Sequence, residues 1–439
     1  MRVLLLAESC NPDWPSLPVV GYKAARALAE ECEVTVATHV RNRPAIERDG
    51  LGRAEVVFID NERVAGPMYR LSTKLRGGHS VGWTTHIATL YPAYLAFERE
   101  VKKRFRPELE QGRFDVVHRV TPMSPTIPSP IARWCPVPFV LGPLNGGLRW
   151  PPEFTAELRR EREWLTYLRG AYRCLPYYRS TYARAAAILA GFEHTIADLP
   201  ASARGRTIDF PEVGIDPKMF APPERRAPRE QLTFLYAGRF VPYKCPDVCV
   251  MAFAADERLR RHKLVMVGDG PERPRVEALI AQHGLGDRVQ LLGWKTQAEV
   301  GALMREADVF FFPSIRELGA GVVVEAMACG LPPAVVDYGA PGGLVREDCG
   351  VRVPIGDKAA LAAAFGERLG SLAEDRELVE RLGQAAHARA VSRFSWAAKA
   401  RKTLEVYDWV LGRRRERPTF DSPPERPGAE PRAGRAESA

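Results

Sequence analysis

PSIRELGAGVVVEAMACGLP, residues 313–332, decides how the rest of the chain is read. A strand-forming run, Asp308–Phe312, stops at Pro313, and Gly319 and Gly321 stand where a helix should begin. Ala326, Met327 and Ala328 favour the helix, and Gly330 followed by Pro332 ends it. A strand, a glycine loop and a helix N-terminus in succession place unpaired backbone N–H groups where an anion can meet them. Glycine lets a phosphate or sugar come close to the main chain. Glu317 and Glu325 flank the loop. Were the interval wholly helical they would stand roughly 12 Å apart, wider than the about 5–9.5 Å of paired hydrolytic carboxylates. A loop between them can shorten that distance, and we prefer to read them as separate grips, Glu317 at one end of a ligand and Glu325 on hydroxyls at the other. The plain alternative is a surface acid before a helix and a helix-dipole acid within it.

The alternation of short strand and helix extends in both directions. Upstream in the same half lie Thr233–Ala237, Leu264–Gly268, Val289–Gly293 and Val309–Phe312, and downstream Ala334–Asp337 and Val351–Pro354. An earlier series comprises Val3–Ala7, Val34–Thr38, Glu55–Asp60, Asp115–Val120 and Phe139–Gly142. Their apolarity is continuous, as for strands covered on both faces of a parallel sheet. The fold class is α/β, with two doubly wound Rossmann-like domains facing across a cleft. Residues 1–212 form the first domain, the Pro- and charge-rich 213–230 a linker, and 231–394 the second domain. A helix over 395–412 crosses back to the first domain, and the Pro- and Arg-rich 413–439 reads as a disordered tail.

Two more clusters lie in the second half. LYAGRFVPYK, residues 235–244, carries a strand into Gly238, with Arg239 and Lys244 on the following loop. Ligands of open α/β sheets bind at the carboxyl ends of strands, so both cations aim at the crevice, Arg as a fork and Lys as a point charge. Two solvated loop cations are the alternative. VMVGDGP, residues 265–271, has the wrong form for a dinucleotide fingerprint, because Pro271 follows its second Gly.

Composition limits the classes. The chain has 439 residues, enough for two cores, and 46% are hydrophobic, which excludes wholesale disorder and a disulfide-stapled miniature. No apolar run approaches the ~20 residues of a membrane span, and the opening MRVLLLAE is short for a secretory signal, so a cytoplasmic protein is expected. The eight cysteines form no C-x-x-C pair, and the net charge of +9 is spread over the chain without a nucleic-acid-binding motif.

Taken together, GRFVPYK, VMVGDGP, RVQLLGW, ADVFFFPS and ELGAGVVVEAMACGLP resemble, in order and spacing, the retaining family-4 glycosyltransferases of the two-domain GT-B fold. In the first half the likeness is looser: FDVVH, PFVLGPLNGG and FPEVGID. The resemblance implies that Arg239 and Lys244 bind the donor diphosphate and stabilise it as it leaves, with Glu317 on the donor sugar and Glu325 on the ribose hydroxyls. It places the amides around Gly319, Ala320 and Gly321 on sugar and phosphate, and main chain near Gly238, Trp294 and Lys295 about the nucleotide. Gly21, opening the first helix, would face the diphosphate from the other domain. Many relatives have Gly-Gly there, whereas this loop reads PSLPVVGYK. Where many carry a His after the fifth strand this chain has GPLNGG, so Asn145, Gly146 and Gly147 line the acceptor side with no titratable group. His118, at the end of the fourth strand, is either an acceptor-side residue or an ordinary packed His.

The activity so implied is transfer of a hexose-type sugar from a nucleotide-diphosphate donor to a hydroxyl acceptor in bacterial glycan, glycolipid or secondary-metabolite assembly. It needs no cofactor or metal, and the chain contains no Asp-x-Asp. The alternatives are a non-catalytic nucleotide-sugar-binding protein of the same fold, or an epimerase or phosphorylase. Residues 149–185, dense in Arg, Trp and Tyr, either rest on an anionic membrane beside a lipid-linked acceptor or pack between helices.

Overall fold

The computed structural model describes residues 1–75, 83–160, 170–224 and 230–420. Seven parallel strands form the first sheet: β1 (Arg2–Ala7), β2 (Glu33–His39), β3 (Glu55–Ile59), β4 (Val116–Thr121), β5 (Phe139–Leu144), β6 (Ala187–Ala190) and β7 (Thr207–Asp209). Six form the second: β8 (Thr233–Ala237), β9 (Lys263–Val267), β10 (Val289–Leu291), β11 (Val309–Phe312), β12 (Pro333–Val336) and β13 (Val351–Val353). Central strands are buried on both faces, as helices on either side of a sheet require: all six residues of β4 and all four of β11 are buried.

Strand order is β3-β2-β1-β4-β5-β6-β7 in one sheet and β10-β9-β8-β11-β12-β13 in the other. Each order reverses direction at one point, between β1 and β4 and between β8 and β11, and ligand crevices open at such points. Val309 and Phe310 pair with Phe234 and Leu235. That pairing brings the loop after β8 beside the loop after β11, although about seventy residues separate them in the chain.

Helix Trp396–Val410 returns to the first domain. Tyr407 meets His118 there, and the Lys399 ammonium donates to the Pro211 carbonyl. Just before it, Ile215 N–H donates to Phe394 O at 2.8 Å, and Ser395 caps the helix by accepting from Ala398 N–H. The tail reading is corrected over its first residues. Phe420 is buried, its ring 5.4 Å from Phe210 and 5.3 Å from Phe394. A lone aromatic in a Pro- and Arg-rich segment has no periodicity to announce that it docks. Residues 421–439 lie outside the described residues. Among the described residues no helix is long and apolar enough to cross a membrane.

Candidate functional site

The loop after β8 carries the cations. Lys244 ends the short turn Pro242–Lys244. Its ammonium pairs with Glu317 Oε1, and both side chains are largely buried, 13% and 14% exposed. Glu317 Oε1 also accepts from Ser314 Oγ at 2.9 Å. The ammonium stands 5.0 Å from the centre of the Phe312 ring. Arg239 is exposed, and one guanidinium nitrogen donates to Tyr243 Oη at 2.8 Å. The loop after β9 braces this segment: Gly238 N–H donates to Val267 O and Phe240 N–H to Asp269 O, each at 2.9 Å. A Cβ on Gly268, whose φ is +131°, would stand 1.9 Å from Gly238 O, so main chain lies on main chain there. That close approach accounts for VMVGDGP.

The loop after β11 leads into helix Gly321–Ala328, which buries Val323, Val324, Ala326, Met327 and Ala328. Ala320, just before it, has φ +53°, a conformation uncommon for a residue with a side chain. A Cβ on Gly321 would meet open space, whereas one on Gly319 would stand 2.2 Å from Glu212 Oε1. Of the three expected amide positions, Gly321 therefore borders open space and Gly319 packs against Glu212 and Val213, where the first domain meets the linker. Glu325 Oε1 accepts from Gln297 Nε2 at 2.8 Å. Burial raises the Glu325 pKa, opposed by that hydrogen bond and by the charge of Lys23, which is on the first helix of the other domain. Glu317 and Glu325 thus have separate partners. Trp294 is 64% exposed, and Lys295 lies 3.5 Å from Glu299.

On the first-domain side, Asn145, Gly146 and Gly147 stand at the carboxyl end of β5, part-exposed. Asn145 Nδ2 donates to Glu212 Oε1. One open reading is decided and one expectation is corrected. His118 is 2% exposed, its ring nitrogens held by Tyr407 Oη at 2.6 Å and Gly142 O at 2.7 Å. Burial lowers its pKa to about 4, so it is a neutral packed group and not an acceptor-side one. Gly21 does not open the first helix, which runs Leu17–Glu31. It is buried one turn in, where a Cβ would stand 2.4 Å from Ser9 O, so its smallness lets helix and β1 loop touch.

The Arg- and aromatic-rich stretch begins as an interdomain strap. The Arg316 guanidinium lies 4.9 Å from the Trp150 ring centre, Tyr338 Oη donates to Arg149 O at 2.8 Å, and Glu157 lies 3.4 Å from Lys358. Farther on, Tyr178 and Tyr182 are buried. These residues pack between elements, and residues 161–169 lie outside the described residues. Reading the sequence missed Lys23, Tyr243, Gln297, Trp150 and Glu212 as site neighbours. Only Glu212 carried a signal, as a lone acid between Phe210, Pro211 and Val213.

Elements at the carboxyl edges of both sheets touch, Tyr338 with Arg149 and Arg316 with Trp150, and Arg239 and Lys244 lie on the loop after β8 beside the glycine-bearing loop after β11. This is the GT-B architecture of two Rossmann-like domains. Residues 219–389 match the glycosyl transferases group 1 family. The phosphatidyl-myo-inositol mannosyltransferase of Mycobacterium leprae is 32% identical over 72% of this chain and 79% of its own length. The chain belongs to that family. A D-inositol 3-phosphate glycosyltransferase of Streptomyces bingchenggensis is 34% identical over 44% of the chain and 46% of its own, so the chain spans about half the length of such relatives. Sucrose-phosphate synthase from Thermosynechococcus elongatus shares the fold, with a TM-score of 0.63 at 19% identity over 94% of this chain and 100% of that one.

Proposed function

We propose that the protein transfers a hexose-type sugar from a nucleotide-diphosphate donor to a hydroxyl acceptor, with retention of configuration and without a metal. The observation that carries this reading is the Lys244–Glu317 pair, set beside Arg239 at the switch point of the second sheet. Breaking the bond between the anomeric carbon and the phosphate oxygen sends its electrons onto the diphosphate. Preorganised cations aimed at that charge lower the barrier, one such donor contributing roughly 10²–10³ in rate. The acceptor oxygen bonds to the anomeric carbon on the face that the nucleotide leaves, and its proton passes to the departing phosphate. Glu317 holds the sugar and Glu325 the ribose hydroxyls, with Gly321 leaving room for the ligand above the main chain. The names of the inositol-directed relatives support a polyol or lipid-linked acceptor, reached by peripheral contact with a membrane.

Incubation with a panel of nucleotide-diphosphate sugars and acceptors, with and without EDTA, tests this by NMR of the product. A new glycosidic bond of donor-like anomeric configuration is expected, insensitive to EDTA and lost in Arg239→Ala and Lys244→Ala. Full turnover in both variants would overturn the roles of the two cations. An epimerised donor or a sugar phosphate would overturn the reaction class, and donor binding without turnover would leave a binding protein.

A further inference from the structure

Glu212 is a buried acid at the cleft that the transfer reaction does not use. It lies in the linker-proximal segment Phe210–Val213, 5% exposed. Its Oε1 accepts from Asn145 Nδ2 at the end of β5. The same oxygen stands 2.2 Å from where a Cβ on Gly319 would be, and Oε2 stands 3.1 Å from where one on Gly191 would be. Gly191 follows β6 in the first domain, and Gly319 belongs to the loop after β11 in the second. One carboxyl thus fits between loops of both domains, at positions where glycine leaves it room. Among the described residues its Oε2 is buried with no hydrogen-bond partner, an unfavourable placement for a polar atom. Burial pushes the Glu212 pKa up to about 7 against the pull of its own backbone N–H, of Asn145 and of the Lys399 ammonium. A group so enclosed acts through its neighbours.

We infer that Glu212 is a positioning residue whose carboxyl sets the loop around Gly319 against Asn145, so that the donor-binding main chain of the second domain is held by contact with the first. The inference rests on the reading of that loop as donor-binding. It makes a reciprocal steric prediction. A methyl at Gly319 collides with the carboxyl, and a carboxyl one methylene shorter relieves it.

Wild type, Gly319→Ala, Glu212→Asp and the double variant are compared in donor KM, kcat and ligand-free melting temperature. Gly319→Ala should raise donor KM about tenfold, lower kcat less, and melt earlier; the double variant should return to within about twofold of Glu212→Asp in KM and recover its melting temperature. A double variant no better than Gly319→Ala in either readout overturns the inference. Recovery of melting without recovery of KM also overturns it, since the contact would then serve packing alone. Should Gly319→Ala fail to fold, Glu212→Ala must raise donor KM more than it lowers kcat, and an unchanged KM overturns the inference. Failure of the donor reading has a different signature: the wild type turns over no nucleotide sugar while the melting rescue persists, and the positioning role then falls with that reading.

Discussion

Replacing Lys244 by Met tests the cleft most directly, because it separates the stability of the site from its chemistry. The ammonium and the Glu317 carboxylate are 13% and 14% exposed, so the pair is shielded on both sides. Removing one partner of a buried pair costs about 3–5 kcal/mol, since the other charge stays behind. Here Ser314 Oγ still donates to Glu317 Oε1 at 2.9 Å, which holds the effect to the lower end. For a cooperative unit of roughly 150–250 residues, about 3 kcal/mol corresponds to a fall of about 6–12 °C in melting temperature. Adding Glu317→Gln removes the stranded charge and should restore most of that loss. Donor cleavage should behave differently: on the proposed mechanism the loss of this cation lowers kcat roughly 10²–10³-fold, and the second substitution does not bring it back. Scanning calorimetry together with single-turnover donor cleavage reads both effects. A Lys244→Met protein that melts within about 1 °C of wild type, or that keeps its turnover, would refute the reasoning.

Gly268→Ala should lower donor affinity by about tenfold or more, because its methyl would meet Gly238 O and displace the Arg239 loop; calorimetric titration with a nucleoside diphosphate checks it. Phe420→Ala should destabilise the fold by about 3 kcal/mol, the lower end for a core Phe, read from urea unfolding; an unchanged midpoint would mean the ring contributes nothing. Lys399 has its pKa lowered to about 7 by burial, against an ordinary Lys value of about 10.4. The folded state therefore holds fewer protons than the unfolded one between those values, and its stability rises with pH across that window. The penalty is full below about pH 7 and gone above about pH 10.4. Lys399→Met should flatten the difference, and unfolding midpoints measured from pH 6 to 9.5 would expose a slope that persisted.

Several strands and both cationic and acidic clusters were legible because they are local. β11 is a run of Val and three Phe, and Gly330 with Pro332 punctuates the helix after it within a few residues. β6 and β7 were not legible: the Ala-rich run YARAAAILA merges the first with the helix before it, and Thr-Ile-Asp gives the second a single strongly apolar residue. The aromatic stretch after Arg149 was ambiguous because Trp150 and Tyr182 look alike whether they meet lipid or a neighbouring helix. His118 was left between two readings that burial decided in favour of the packed one, and Gly21 was read from its position beside a motif until its close packing on Ser9 showed otherwise.

The sequence by itself determined the alternating α/β plan, the two halves, and the pieces GRFVPYK and ELGAGVVVEAMACGLP, because propensity, glycine placement and strand apolarity act over short spans. Tertiary structure alone decided which groups meet. Lys244 reaches Glu317 only because β8 and β11 are neighbours in the sheet, and Glu212 reaches Gly319 only because the chain leaving β7 runs beside the loop after β11. Such contacts depend on strand order and domain closure, which no short stretch of sequence encodes.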